Sequence, residues 1–206
     1  MMNLRSLVEK SADADLLREM MHQAATWRHA EAKNTRKRLG RFSVDLQLMR
    51  IPDLPPDLKF QPLAQTDEEF EFSFRAKEQA LGPHIRQRWG WNEQFQREVH
   101  GQRLGEKPFF RVELDGRPLG TLSFQEQPGH LRFGEFYLMN PFRGLGIGSR
   151  ILAHCLQLAD DVGSPVRLEY LLWNPVGSLY RRHGFVEIGR TPTHFLMERP
   201  KPPATR

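Results

Sequence analysis

Seven consecutive residues, Arg143-Gly144-Leu145-Gly146-Ile147-Gly148-Ser149, have the composition of an anion-binding turn. Where such a run joins a strand to a helix, the first N–H groups of the helix point outward, with the positive end of its dipole behind them. Glycines place no side chain between that backbone and a phosphate. Arg143 adds a positive charge beside it. Other phosphate motifs fit less well. A P-loop needs a Gly-Lys-Ser/Thr that is absent, and a dinucleotide fingerprint starting at Gly144 needs a third glycine where Ser149 stands. A tight strand-to-helix turn with no ligand has the same pattern, so the neighbours of the turn must decide. Three nearby side chains have the types that do chemistry: Glu135, Asn174 and Tyr180. A carboxylate can take a proton, an amide can hold a polar chain, and a phenol can donate a hydrogen bond.

The elements that would position them follow from periodicity. Residues 59–63 read as a strand, 67–88 as a helix broken at Gly82-Pro83, and 92–103 as a second helix. Residues 109–114 alternate and end in Asp115-Gly116, a hairpin signal. Residues 119–124 and 131–139 continue the meander, and Asn140-Pro141 stops it. From 146 to 161 the period becomes helical, with Ile147, Ile151, Leu152, Cys155, Leu158 and Ala159 on one face. Cys155 therefore reads as core. Residues 166–173 form a nearly continuous apolar strand, as inside a sheet. A short helix over 176–183 ends at Gly184, and 185–188 with 194–198 close the pattern as two strands.

Bulk composition narrows the class. A chain of 206 residues, 39% hydrophobic and 27% charged, can bury a core, and it has no apolar run long enough to span a membrane. One cysteine excludes an internal disulfide framework and fits the reducing cytoplasm. His84, His183 and His194 are scattered without metal-ligand spacing, so no metal is expected. A net charge of +5 suits an anionic partner, whether nucleic acid or a phosphate-rich cosubstrate.

The run from Glu135 to Gly148 resembles the acyl-CoA-binding motif of the GCN5-related N-acetyltransferase superfamily, in which a strand leads into Arg/Gln-x-x-Gly-x-Gly/Ala. Downstream, Asn174-Pro175-Val176-Gly177-Ser178-Leu179-Tyr180-Arg181-Arg182-His183-Gly184-Phe185 is similar to the second signature, an Asn followed by Leu-Tyr and Gly-Phe. Its Asn-to-Tyr spacing is one residue shorter than in many members. Trp89-Gly90-Trp91-Asn92-Glu93 and Thr193-His194-Phe195-Leu196-Met197 resemble stretches of one subgroup.

The resemblance implies a mixed α/β fold, a mostly antiparallel sheet flanked by helices, over 58–199. It implies acetyl transfer from acetyl-CoA, as donor cosubstrate, to a primary amine on a small molecule or peptide, and it admits a homodimer. Leu138 and Met139 would bond the pantetheine arm through their backbones, with the Leu138 N–H on the thioester carbonyl. Arg143, Gly144, Leu145, Gly146, Ile147, Gly148 and Ser149 would hold the pyrophosphate. Asn174 would bond the arm or cap the following helix. Tyr180 would meet the departing sulfur, or is a core tyrosine. Glu135 would be the base, directly or through water, or a structural carboxylate paired with an arginine such as Arg132. Trp89, Trp91 and Phe95 would wall the acceptor pocket or simply pack the helix pair, and His194 would face the acceptor.

Two rivals belong to other classes. One is a nucleic-acid-associated protein using the basic run Lys33, Arg36, Lys37, Arg38 and Arg41, including one that acetylates aminoacyl-tRNA. The run has no interleaved aromatics, and a solvated linker is the simpler reading. The other is a non-catalytic acyl-CoA sensor. Residues 1–50 read as a helical extension, 51–57 as a proline-rich linker and 200–206 as a loose tail. Within the extension, residues 1–24, most densely Leu7 to Met20, resemble the start of mutator-type insertion-sequence transposases, which implies a mobile-element fragment joined ahead of the transferase. A chain starting near Arg50 is therefore expected to fold and turn over as the full chain does. Loss of either activity or folding on truncation would make residues 1–50 part of the working protein.

Overall fold

The computed structural model describes residues 59–202. The expected extension over 1–50, the linker over 51–57 and tail residues 203–206 lie outside them. The alternating segments form a meander. β2 (Phe110–Leu114) and β3 (Arg117–Gln127) join at Asp115-Gly116, where both residues have positive φ, 49° and 71°. Two successive left-handed residues make the type I′ turn, whose twist matches that of the strands. β4 (His130–Leu138) returns antiparallel to β3, and β1 (Lys59–Pro62) covers the outer edge of β2.

Beyond β4 the connections lengthen. β5 (Val166–Leu171) lies parallel to β4 and is reached through the helix α3 (Ile147–Asp161). β7 (His194–Arg199) pairs antiparallel with β5, and β6 (Val186–Arg190) adds outside β7. The order is β1-β2-β3-β4-β5-β7-β6. The fold is the expected mixed α/β sheet, antiparallel everywhere except at β4–β5. The remaining helices are α1 (Asp67–Trp89), α2 (Glu93–Glu106) and α4 (Gly177–Arg182).

α3 packs one sheet face. Ile151, Leu152, Cys155 and Ala159 are fully buried against Leu119, Leu122, Phe133 and Leu168. Each large apolar side chain so placed contributes about 1.5–3 kcal/mol relative to exposure. α1 and α2 cover the other face. α1 starts at Thr66, whose hydroxyl accepts from the Glu69 N–H at 3.3 Å, with Asp67, Glu68 and Glu69 in the first turn complementing the dipole. The expected break at Gly82-Pro83 does not occur: α1 runs through Pro83 to Trp89. A single proline removes one internal hydrogen bond. Burial of Ile85 beyond it, and of Phe74 and Ala76 before it, holds the helix on the sheet across that gap.

The α1–α2 layer is polar inside. The Ser73 hydroxyl meets His100 Nε2 at 2.8 Å, and Lys77 Nζ donates to the Gln96 carbonyl at 3.0 Å. Burial, and secondarily the charge of Arg103, brings the Lys77 ammonium down to about 7. The free lysine titrates near 10.5. Between those values the unfolded chain binds more protons, so stability should rise with pH across that window. Lys77→Met should flatten the rise, as urea unfolding at pH 7 and pH 10 would reveal.

Candidate active site

The sheet separates between its two central strands. β4 and β5 pair only at Leu131↔Val166 and Arg132↔Arg167. Past Arg132 they diverge, although each continues, β4 against β3 and β5 against β7. The gap opens into a cavity of about 870 Å³, lined by both strands, the turn before α3, the α4 region and the inner sides of α1 and α2.

At one end of the gap are the glycine turn and α3. Gly144 and Gly146 take φ of 75° and 80°, conformations that L side chains rarely adopt. No side chain caps α3, whose N-cap is Gly146. Its first N–H groups are therefore available to an anion. Gly148 lets the helix sit on β4, since a Cβ there would lie 3.2 Å from the Leu138 side chain. Ser149 Oγ, in the first turn of α3, meets His183 Nε2 at 2.7 Å.

Leu138 lies on the open edge of β4. Met139 donates its N–H to the Leu119 carbonyl, 2.9 Å away on the β3 side. Strand alternation turns the Leu138 N–H and C=O to the opposite edge, toward the gap. Arg143 Nε donates to that carbonyl at 2.6 Å. Of the expected donor-site residues, Leu138, Arg143, Gly144, Gly146, Gly148, Ser149, Asn174 and Tyr180 line the cavity, while Met139, Leu145 and Ile147 do not. Leu145 points to solvent at 67% exposure, and Ile147 packs on the core. Asn174 Oδ1 accepts from the Val176 N–H at 3.0 Å, a local turn that sets up α4. Tyr180 is buried beside Tyr170, ring centroids 5.6 Å apart, and burial pushes its phenol above the ordinary tyrosine range.

The other wall is built on a bulge. Thr121 and Ser123 of β3 face Tyr137 and Gly134 of β4, so β4 carries one extra residue. Glu135 absorbs it with φ of 46°, and the Thr121 hydroxyl pins its carbonyl at 2.8 Å. Phe133 and Phe136 consequently share the α3 face, their rings 5.2 Å apart, while Glu135 is turned to the opposite face beside Tyr137. There it meets Lys107 at 2.7 Å and Arg103 at 3.1 Å, and accepts from the Tyr137 hydroxyl at 2.7 Å. Burial alone would raise its pKa, but the opposing charges of Arg103 and Lys107 prevail and hold the carboxyl well below the usual range. Arg132 is not the partner of Glu135; it pairs with Glu169 of β5 at 3.1 Å.

His194 opens β7 on the cavity wall, its Nδ1 2.7 Å from the Thr193 hydroxyl. Trp89 packs edge-on to Trp173 at 4.7 Å, and Trp91 lies against Phe74 at 6.1 Å. Neither tryptophan, nor Phe95, lines the cavity. Arg103 and Lys107 with Glu135, and Arg132 with Glu169, are contacts between residues distant along the chain and carry no local sequence signal, whereas Tyr137 is a near neighbour of Glu135 in the chain and is set beside it by the bulge.

A family model, described as the acetyltransferase (GNAT) family, matches residues 64–185. The chain belongs to that family. The PaiA N-acetyltransferase of Thermoplasma acidophilum, solved in complex with coenzyme A, is 18% identical with a TM-score of 0.55, over 69% of this chain and 98% of that one. The ribosomal-protein-S18-alanine N-acetyltransferase of Escherichia coli is 16% identical with a TM-score of 0.53, over 72% and 96%. An acetyltransferase of Thermus thermophilus is 16% identical with a TM-score of 0.54, over 69% and 96%. At such identities the likeness is one of fold. No curated protein sequence matches the chain.

The Glu135 cluster makes a prediction about stability. A depressed carboxyl pKa stabilises the fold above its unfolded value, near 4.5, and loses that contribution as pH falls through the folded value. Glu135→Gln leaves two buried cations without their carboxylate and should cost about 3–5 kcal/mol at pH 7. The same variant should lose much of the acid sensitivity below pH 4.5. Lys107→Ala keeps the Arg103 partner and should cost less in the same denaturation series.

Proposed function

We propose that the protein transfers the acetyl group of acetyl-CoA to a primary amine by direct attack within a ternary complex. One observation carries this reading: β4 and β5 part beside an uncapped helix N-terminus. The strand edge offers backbone hydrogen bonds to an extended arm, and the turn Arg143–Ser149 offers amides to a pyrophosphate. The Leu138 N–H, on the open edge of β4, would bond a thioester oxygen as charge gathers on it. The amine nitrogen attacks the carbonyl carbon, the C–S bond breaks, and amide and thiol are the products.

Two proton movements must be served. An alkylamine with pKa near 10.4 is almost wholly protonated at neutral pH and must lose a proton before attack. In this reading Glu135, which shares the acceptor side with Glu169, is the carboxylate that draws this proton. Arg103 and Lys107 keep it ionised, which makes it a weak proton holder, so its part is to draw the proton through solvent rather than to keep it. Tyr180 faces the departing sulfur. Reference acidities make proton transfer from phenol to thiolate uphill by roughly 2 kcal/mol. Burial of Tyr180 increases that cost. Its role is accordingly a hydrogen bond to the developing thiolate.

A thiol-release assay with acetyl-CoA across a broad amine panel tests the reading. Turnover of at least one amine is expected. Binding of acetyl-CoA with no turnover would instead favour a sensor. Tyr180→Phe should lower kcat by roughly 10- to 100-fold, the scale of one lost hydrogen bond to a charged group. Unchanged turnover would remove Tyr180 from the mechanism.

A further inference from the structure

We propose that the acceptor is a zwitterion of the free amino-acid type, its ammonium received by Glu169 and its carboxylate by Arg132. This rests on the acetyl-transfer reading of the same cavity. Arg132 and Glu169 form a 3.1 Å ion pair whose side chains are 21% and 17% exposed, and both line the cavity. The pair stands where the sheet opens. Arg132 belongs to the last register pair of β4 and β5, while Glu169 lies two residues further along β5, past that pairing. Carried forward, the register sets Glu169 opposite Gly134, next to the bulge at Glu135.

Charge on the cavity wall favours a ligand with both signs. Around the bulge Arg103, Lys107 and Arg132 face Glu135 and Glu169, three cations against two carboxylates, and Arg143 and Arg182 line the same cavity. An amine arriving as its ammonium would add to that positive surplus. A second, anionic group on the same molecule cancels the addition. Glu135 is already engaged by Lys107, Arg103 and Tyr137. Arg132 and Glu169 meet each other where the strands part, and a zwitterion can take the place of each for the other without leaving either charge unmatched. The planar guanidinium presents parallel N–H groups to a carboxylate, a match that a carboxamide or a bare amine lacks.

The test compares kcat/KM for matched triads: a free amino acid, its carboxamide and its decarboxylated amine, each with acetyl-CoA. The free acid should exceed both analogues by about tenfold or more, the scale of a hydrogen-bonded charge pair. In Arg132→Gln that ratio should fall toward one. If Arg132→Gln does not fold, Arg132→Lys keeps the charge without the fork and should still reduce the ratio. Turnover of amines or carboxamides as fast as free acids, or a preference that survives both variants, overturns this proposal and leaves acetyl transfer standing. Failure of every amine to turn over overturns the transfer reading and this proposal with it.

Discussion

Two strands that begin as neighbours and then part are the constraint on which the rest of this structure depends. A sheet interior normally satisfies every backbone N–H and C=O. Here the pairing of β4 with β5 ends at Arg132↔Arg167, and the chain must support two central edges without a partner. β3 and β7 hold the outer sides of those strands, so the opening is confined to one seam. The Leu138 carbonyl on that seam is taken by Arg143, the residue that begins the glycine turn. The seam and the turn are thus tied together by one side chain.

The bulge at Glu135 belongs to the same constraint. Unbroken alternation from Leu131 and Phe133 would aim Glu135 into the apolar layer under α3, where a carboxylate has no partner. One extra residue sends it to the other face, where Arg103 of α2 and Lys107 just past its end wait. Buried ion clusters are costly to desolvate, and an apolar substitute is often as stable. Stability alone is therefore a weak reason for this one. What the cluster does supply is a fixed attachment between α2 and β4 at the mouth of the gap. Ser73–His100 and Lys77–Gln96 make α1 and α2 similarly specific for each other.

The end of the cavity proposed for the donor was legible in the sequence because it is made of local backbone. Gly144 and Gly146 announce left-handed φ, and the helical period that follows announces free amides. The end proposed for the acceptor was not legible, because it is made of side chains that meet only in the fold: Arg103 with Glu135, and Arg132 with Glu169. The bulge did leave a trace. Apolar residues fall at Leu131 and Phe133 and then at Phe136 and Leu138, a slip of one in a period of two. The proline of α1 misled in the opposite sense, since local breaking power is small beside the burial that holds both halves of that helix down. Trp89 and Trp91 illustrate a third limit: aromatic bulk marks a packed layer as readily as a pocket, and here both pack.

This division has a physical origin. Every acyl-CoA donor presents the same pyrophosphate and arm, and backbone amides at a helix start serve them whatever the neighbouring side chains are. An acceptor is distinguished by where its own charges lie, which only side chains can match. In the proposed reading the donor end is therefore served by backbone geometry, which calls for glycine at 144, 146 and 148 and leaves the Leu145 side chain in solvent. In the same reading the acceptor end depends on the charges of this chain in particular. Arg132 of β4 and Glu169 of β5 join the two strands where the gap begins, and in the proposed reading that pair selects what enters.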